Sequence, residues 1–403
     1  MSICAQVCTW LTALGVLMPS VSVAQDRTER ELLELIVRDG PQARAIRAEV
    51  EVTRREQLAR LAYPNPGLMY SREDAGFTEF LQFEQSLPVF GTRAALSRAG
   101  LSATAAAEAE QDARLWILRS DALLSLARLH ADHVRLEAAQ AHTAAVERLT
   151  EILRAREREG EGSRFDRLRA EQDLREARQL VTSASVALAT ANAALGAMLP
   201  REISAGRIAA PHQPYGPAPT LDALLTRAAS ARVEQRALSR MADRAAREAE
   251  ASRRARLPAP TIFGGLKRAD GTSRRERGGL FGLTASLPLF DRGNREAARW
   301  AAERARLETQ RELIEHQIRS EVVRASEAFA LRQSAVAEDE EDAGTELARI
   351  AEVAYREGEV GILELLDALR TAARARARTL DLRLDARLAA IALERAVGDV
   401  LWP

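Results

Sequence analysis

Apolar residues recur at three- and four-residue intervals along most of this 403-residue chain, and they alternate with polar ones in only two short regions. Leu115, Leu118, Ala122, Leu126 and Leu129 make one narrow stripe, and Leu380, Leu384, Leu388 and Ile391 make another. Stripes this narrow belong to long helices packed as in coiled coils. The alternating regions have the period of half-buried strands. In the first, GLMYSRE (67–73) is followed by the turn residues Asp74 to Gly76 and then by FTEFLQFEQSL (77–87), a hairpin signature. Phe77, Leu81, Phe83 and Leu87 share one face of the second strand with Glu79 and Gln85, and Phe80 lies on the other face with Thr78, Gln82, Glu84 and Ser86. In the second region TIFGGLK (261–267) leads into a polar loop, RADGTSRRERGG (268–279). LFGLTASL (280–287) then returns with Phe281, Leu283, Ala285 and Leu287 on one face.

The two regions belong to a longer repetition. SLPVF at 86–90 returns as SLPLF at 286–290. Three more echoes keep the same order: RREQLARLAYPNPGL (54–68) with AEASRRARLPAPTIF (249–263), REGEGSRFDRLRAEQ (158–172) with REGEVGILELLDALR (356–370), and ANAALGAMLP (191–200) with LERAVGDVLWP (393–403). Ordered echoes at a spacing near half the chain length mean a duplicated unit, far longer than a solenoid repeat. The expected division is a first repeat over 25–200, with strands at about 67–87 and a helical hairpin at about 89–199. A connector follows over 201–219, and then a second repeat over 220–403, with strands at about 261–287 and a hairpin at about 289–401.

After Pro88 and Pro288, each expected in a first helical turn, the pattern predicts unbroken helices of about 70 and about 68 residues, to Arg158 and Arg356. At about 1.5 Å per residue each is roughly 100 Å long. Gly160, Gly162, Gly358 and Gly361 then let the chain reverse. The first return is expected through Ser163–Leu199 and onward through Thr220–Leu257, and the second through Gly361–Leu401 with Glu29–Ala62 supplying the remaining rise.

Composition narrows the function. Residues 1–24 have an apolar segment from about Val7 to Met18, then Pro19 and small residues, and are expected to be a signal peptide cut after Ala24. Cys4 and Cys8 both fall inside it, so the expected mature chain has no cysteine chemistry and no lipid anchor. The 58 basic and 58 acidic residues are interleaved, which leaves no field to steer nucleic acid. The uncharged run at 180–200 has the length of a membrane span, but its alanines, serines and threonines suit close helix packing instead.

A two-stranded hairpin is marginal alone in water, and strands in lipid must close into a barrel. Four strands from one chain enclose no usable lumen, whereas three chains would supply twelve. At this point SLPVFGTR (86–93), SLPLFDRG (286–293) and YREGEVGILELLDALRTA (355–372) resemble the TolC-like outer membrane efflux proteins, over essentially the whole mature chain. The resemblance implies a mainly α fold with a small β part. Two tandem repeats each give a two-stranded β-hairpin and long antiparallel coiled-coil helices. A homotrimer then joins a 12-stranded outer membrane β-barrel to a periplasmic α-helical barrel. It further implies an exit duct of a tripartite efflux or type I secretion system, partnered by a periplasmic adaptor (membrane fusion) protein, an inner-membrane transporter and outer membrane lipid. The compact size and the FGTR stretch lean toward the heavy-metal branch of that family.

The resemblance places adaptor docking at the tips, at Gly160, Gly162, Gly358, Gly361, Leu363, Leu366 and Asp367. Glu159, Glu161, Glu357 and Glu359 would gather carboxylates at the periplasmic aperture, where a charged ring favours cations. Pro88, Gly91, Pro288 and Gly293 mark the barrel-to-helix junction. Phe77, Phe80 and Phe281 are expected as interfacial aromatics, and Trp116 and Trp300 as packing residues. His130, His133 and Glu137 have a spacing that could hold a divalent metal, but an exposed polar face is the plainer reading. No phosphate loop or nucleophile elbow appears, so no enzyme, cofactor or metal site is expected. The alternative is a periplasmic coiled-coil adaptor or scaffold without a channel, which should show one hairpin flanked by Gly-, Val- and Thr-rich β domains.

Overall fold

A computed structural model describes residues 27–402 apart from 74–77, 202, 204–215, 255, 271–274, 291 and 340–342. The expected signal peptide, both cysteines, Phe77 and most of the connector lie outside the described residues.

The chain opens with two helices, α1 (Glu29–Asp39) and α2 (Pro41–Arg60). Thr28 and Glu31 close a reciprocal capping box on α1, and Pro41 starts α2 at the one position where a missing N–H costs nothing. Strands β1 (Gly67–Glu73) and β2 (Thr78–Ser86) lead to α3 (Thr92–Arg158), an unbroken helix of 67 residues. The return helix α4 (Arg164–Gly196) is capped by the Ser163 hydroxyl, which accepts from Phe165 N–H at 3.1 Å. Beyond the connector come α5 (Leu221–Ala231), capped by Thr220, and α6 (Val233–Arg254). Strands β3 (Pro260–Asp270) and β4 (Arg275–Ala285) follow, then α7 (Asn294–Ala337), α8 (Ala343–Glu357) and α9 (Ile362–Val397).

Two expectations about the helices need correction. The second long helix is not continuous, because α7 ends at a cap on Glu338. The sequence there is Glu338-Asp339-Glu340-Glu341-Asp342, and like charges at helical spacing repel, with no basic residue interleaved. The columns are also exchanged relative to the expected path. Leu195 and Met198 at the end of α4 share a core with Leu32 and Ile36 of α1 and Ala43 of α2, all packed on α3. Leu393 and Val397 at the end of α9 share another with Leu224 and Ala228 of α5, packed on α7. So α4 is continued toward the sheet by α1 and α2, and α9 by α5 and α6. The chain crosses columns at the connector rather than climbing straight on.

The two joints are alike. At the first, a Cβ on Gly40 would stand 2.7 Å from the Met198 carbonyl, so only glycine lets α1 and α2 meet the end of α4. At the second, Arg232 between α5 and α6 is buried and donates to the carbonyls of Arg395 (3.1 Å) and Ala396 (2.9 Å), capping α9. Its charge is balanced by Glu321 at 2.9 Å and Glu234 at 3.2 Å. Alanine dominates the buried faces of α6 and of α3 from Ala95 to Ala113, which brings these helices close, whereas the tip half of α3 buries Val146, Leu149 and Leu153.

The four strands form one antiparallel sheet in the order β1-β2-β3-β4, so both hairpins join edge to edge through β2 and β3. The polar stretch 268–279 is strand on both sides of the undescribed residues 271–274. Arg268 pairs with Arg277, Ala269 with Glu276 and Asp270 with Arg275, carrying β3 and β4 well past the expected turn. Ladder hydrogen bonds come from the backbone, so polar side chains do not end a strand whose faces both meet solvent or lipid headgroups.

Candidate functional site: the sheet faces and the hairpin tips

Residues paired across the sheet lie on the same face, so the register sorts every side chain. Leu68, Phe83, Gly264 and Phe281 form one row, and Tyr70, Leu81, Leu266 and Gly279 the next. Ile262 and Leu283 extend the same face toward the helices. Leu68, Leu266, Leu283 and above all Phe281, 90% exposed, project from it without cover. The opposite face carries Gln82, Glu84, Thr261, Lys267 and Thr284, with Gly265 and Gly282, among Met69, Phe80, Phe263 and Leu280, and is the more polar of the two. One face therefore suits lipid and the other a water-filled lumen. Phe80 is on the polar face, where Lys267 Nζ lies 5.3 Å from its ring centre, so its expected place as a lipid-interface aromatic is corrected.

Where the strands give way to helices, Pro88 and Pro288 do not enter a first helical turn as expected. Val89 N–H bonds to the Leu87 carbonyl at 2.8 Å and Leu289 N–H to the Leu287 carbonyl at 2.9 Å, so each proline centres a three-residue turn. The helices begin four to six residues later, capped by Gly91 (φ 76°) and Gly293 (φ 69°) in the left-handed conformation that glycine adopts most easily. Phe90 also has a positive φ, 61°, a conformation that costs an L-residue about 1–2 kcal/mol. The turns push Val89, Phe90, Leu289 and Phe290 outward, with Phe290 fully exposed. Sequence reasoning marked the prolines and glycines but missed these aromatics, whose signal was the shared last letter of SLPVF and SLPLF.

At the opposite end of the molecule the two tips are built alike. Gly160 (φ 81°) and Gly358 (φ 79°) follow the last residues of α3 and α8, and Glu161 N–H reaches back to the Arg156 carbonyl (2.9 Å) as Glu359 N–H does to that of Ala354 (2.9 Å). The other two glycines have different roles. Gly162 has no room for a Cβ, which would stand 2.8 Å from Glu157 N, and Gly361 is an extended N-cap that any residue could adopt. Glu159, Glu161, Glu357 and Glu359 are all exposed at the tips, as are Leu363 and Asp367. Leu366 is not available for docking. It is 3% exposed and packs with Leu149, Leu153, Ala170 and Leu369, because its position in α9 faces the first hairpin.

Above the tips the two hairpins are joined by polar contacts. Arg156 donates to the Tyr355 hydroxyl at 3.2 Å with its guanidinium 5.5 Å from the ring centre. Deeper in, the buried Asp173 carboxylate of α4 accepts from Arg370 of α9, while its Oδ2 has no partner. His142 of α3 lies beside them. Burial pushes its imidazole pKa down, the Asp173 charge opposes this, and Arg370 adds to the depression. His133 Nδ1 lies 3.2 Å from the Leu129 carbonyl. Among the described residues no group of three or more His, Cys, Asp or Glu could hold a metal ion. Trp116 and Trp300 sit in the helical layer under arginines, Arg119 at 5.1 Å and Arg299 at 4.2 Å from the ring centres.

No described helix is long and apolar enough to cross a membrane. Residues 225–399 match the family model of the outer membrane efflux proteins. No curated protein matches the chain in sequence. In structure the chain is similar to the Campylobacter jejuni CmeC outer membrane channel, with a TM-score of 0.72 at 12% identity over 98% of this chain and 94% of that one. It is similar also to the open-state MtrE outer membrane channel of Neisseria gonorrhoeae (0.69, 18%, covering 93% and 89%). A third match is CusC, whose crystal structures bear on conformational changes accompanying folding and transmembrane channel formation (0.68, 19%, covering 93% and 92%). At these identities the likeness is one of fold.

Proposed function

We propose that three copies of this chain close into one exit duct, a β-barrel in the outer membrane continuous with a helical tunnel in the periplasm; the match of residues 225–399 to the outer membrane efflux proteins and the channel fold of the whole chain support this reading. The observation that carries this reading is an open four-stranded sheet with one apolar face and two unpaired edges, β1 and β4. In lipid such edges leave backbone amides without partners. β1 and β4 run in opposite directions, so β4 of one copy meets β1 of the next as one more antiparallel pair.

The helices support the same closure. From their packing order, α2 and α4 border the layer on one side and α7 and α8 on the other, so one neighbour closes every level. The border helices carry uncovered apolar residues: Phe165, Leu168, Leu180 and Val186 on α4, and Leu347, Ile350 and Val353 on α8. An adaptor or scaffold without a channel has no use for the apolar sheet face.

The partners follow from position. The exposed Leu363 and Asp367, with the glycine turns at Gly160 and Gly358, form the docking surface for a periplasmic adaptor, which brings an inner-membrane transporter to the duct. The four tip glutamates line the aperture and favour cations. The cargo is set by the pump.

The test uses a mature chain without cysteines, carrying one engineered cysteine on β1 and one on β4. A crosslinked, detergent-dependent trimer is expected. A protein that stays monomeric in buffer without detergent would overturn the channel. Crosslinked copurification from cells then identifies the adaptor and pump, and failure to recover any adaptor from a membrane-inserted trimer would overturn the docking surface.

A further inference from the structure

The apolar face of the sheet ends abruptly. One pair step beyond Tyr70, Leu81, Leu266 and Gly279 the same face carries Arg72, Glu79, Arg268 and Arg277, one residue from each strand. The row lies at the hairpin end, away from the helices. If the helices cross the periplasm, this is the level of the outer leaflet headgroups. Three guanidinium groups against one carboxylate give the row a formal charge of +2, in a chain whose charges balance overall. Glu79 is engaged by Arg268 at 3.5 Å and by the Tyr70 hydroxyl, which donates at 3.4 Å, so it lies within the row and leaves the outer cations dominant.

The row also borders a hollow of about 490 Å³. Leu81, Leu266 and Tyr70 line it on the helix side and Arg268, Arg277 and Glu79 on the hairpin side, while Phe80, Lys267 and Gly278 border it from strand positions whose side chains take the other face. Its floor is bare at Gly279, where an added Cβ would meet nothing within 4 Å. Apolar walls below and arginines above match an amphiphile whose acyl chains lie along the barrel and whose phosphate stands at the rim. Arginine binds phosphate through paired N–H donors, and the membrane edge strengthens the bond by excluding water.

We propose that this hollow is a binding site for a phosphorylated lipid headgroup of the outer leaflet, held by Arg268 and Arg277 with Arg72 completing the row. The proposal rests on the channel reading above. Bound lipid of this kind would fix the depth of the barrel and cover the charged row against neighbouring acyl chains.

Native mass spectrometry of the full trimer in detergent tests it, with three probes: bisphosphorylated lipid A, its dephosphorylated form, and inorganic phosphate. Wild type is expected to retain lipid A about tenfold more strongly than the dephosphorylated form or than an Arg268→Gln/Arg277→Gln variant. Inorganic phosphate in millimolar excess should compete poorly, because it lacks the acyl anchor; full displacement by it would mark a free-anion site and overturn the lipid assignment. Equal retention by wild type and variant would also overturn it. Should that variant fail to assemble, Arg268→Lys/Arg277→Lys keeps the charge but loses the paired geometry, and wild-type retention must fall with salt. A chain that does not enter bilayers at all would fail the channel reading instead, a result distinct from a membrane-inserted trimer that ignores the phosphate.

Discussion

The two helical hairpins descend from one duplicated sequence, yet they are held together by different forces. In the first, α3 runs unbroken to its tip and is laced to α4 by charge. Arg154 meets Glu171 at 2.9 Å, Arg178 meets Glu147 at 2.6 Å, and Arg167 is shared between Glu157 and Glu171. In the second, the descending helix is interrupted after Ala337, and among the described residues no ion pair joins α8 to α9. There Gly344, the one buried residue of α8, lies against Ala372 and Ala375, while Ala348, Ala351 and Tyr355 add apolar contact. A laced hairpin resists sliding; one resting on small apolar surfaces after a break has less to hold it in register. The comparison teaches that duplication preserved the turn chemistry of the tips but not their stiffness.

The comparison can be broken first where the hairpins meet. Replacing Arg370 by alanine leaves the Asp173 carboxylate buried and unpaired, and is expected to lower stability by roughly 3 kcal/mol, measured as the melting of the detergent-solubilised trimer. The double change Asp173→Leu/Arg370→Leu should recover most of that loss; if it does not, the pair has a role beyond its own charge balance. Next comes Gly344→Leu. A new Cβ would stand 2.9 Å from Ala375 Cβ, so a full leucine forces α8 off α9 at a cost of about 1–3 kcal/mol. Hydrogen exchange should quicken across 343–357 and stay unchanged in α3 and α4; uniform loosening of both hairpins would erase the distinction drawn here.

Gly160→Ala and Gly358→Ala sharpen the shared part. Both positions have positive φ and open space around the missing Cβ, so each should cost about 1 kcal/mol, and equally. The pH response reports the shared interior. His142 is held below its ordinary pKa by burial, so its neutral form stabilises the fold above the unfolded value of about 6.5, and that contribution is lost as pH falls toward the folded value. Melting curves from pH 7.5 down to 5.5 should show this loss in wild type and less of it in His142→Gln. The smallest effect belongs to the exposed lacing. Arg167→Gln removes the partner that, after Arg154, holds Glu171 below the usual carboxylate range, and its slight effect on melting should vanish in high salt.

Much of this was legible from local signals. The hairpin at 67–87, the long helices, the tip glycines and the duplication all follow from periodicity and turn chemistry, which act between near neighbours. The reach of β3 and β4 through 268–279 was missed because polar side chains resemble a loop when the pairing partner is unseen. Leu366 looked available because its burial depends on Leu149 and Leu153, more than 200 positions earlier. The arginine row was invisible for the same reason: Arg72, Arg268 and Arg277 become neighbours only through register.

By itself the sequence determined most of the helix, the cores of the strands, the reversals at the tips, and that one unit occurs twice, since backbone conformation answers to spacing, capping and glycine over a few residues. Only the tertiary structure decided that α4 is continued by α1 and α2 while α9 is continued by α5 and α6. That choice rests on whether Leu195 and Met198 bury better against Leu32 and Ile36 than Leu393 and Val397 do, a competition between alanine- and leucine-rich surfaces nearly alike in pattern. It is settled by the fit of groups distant in sequence, such as the Met198 carbonyl at Gly40 and Arg232 beneath Gly398, which no local pattern records.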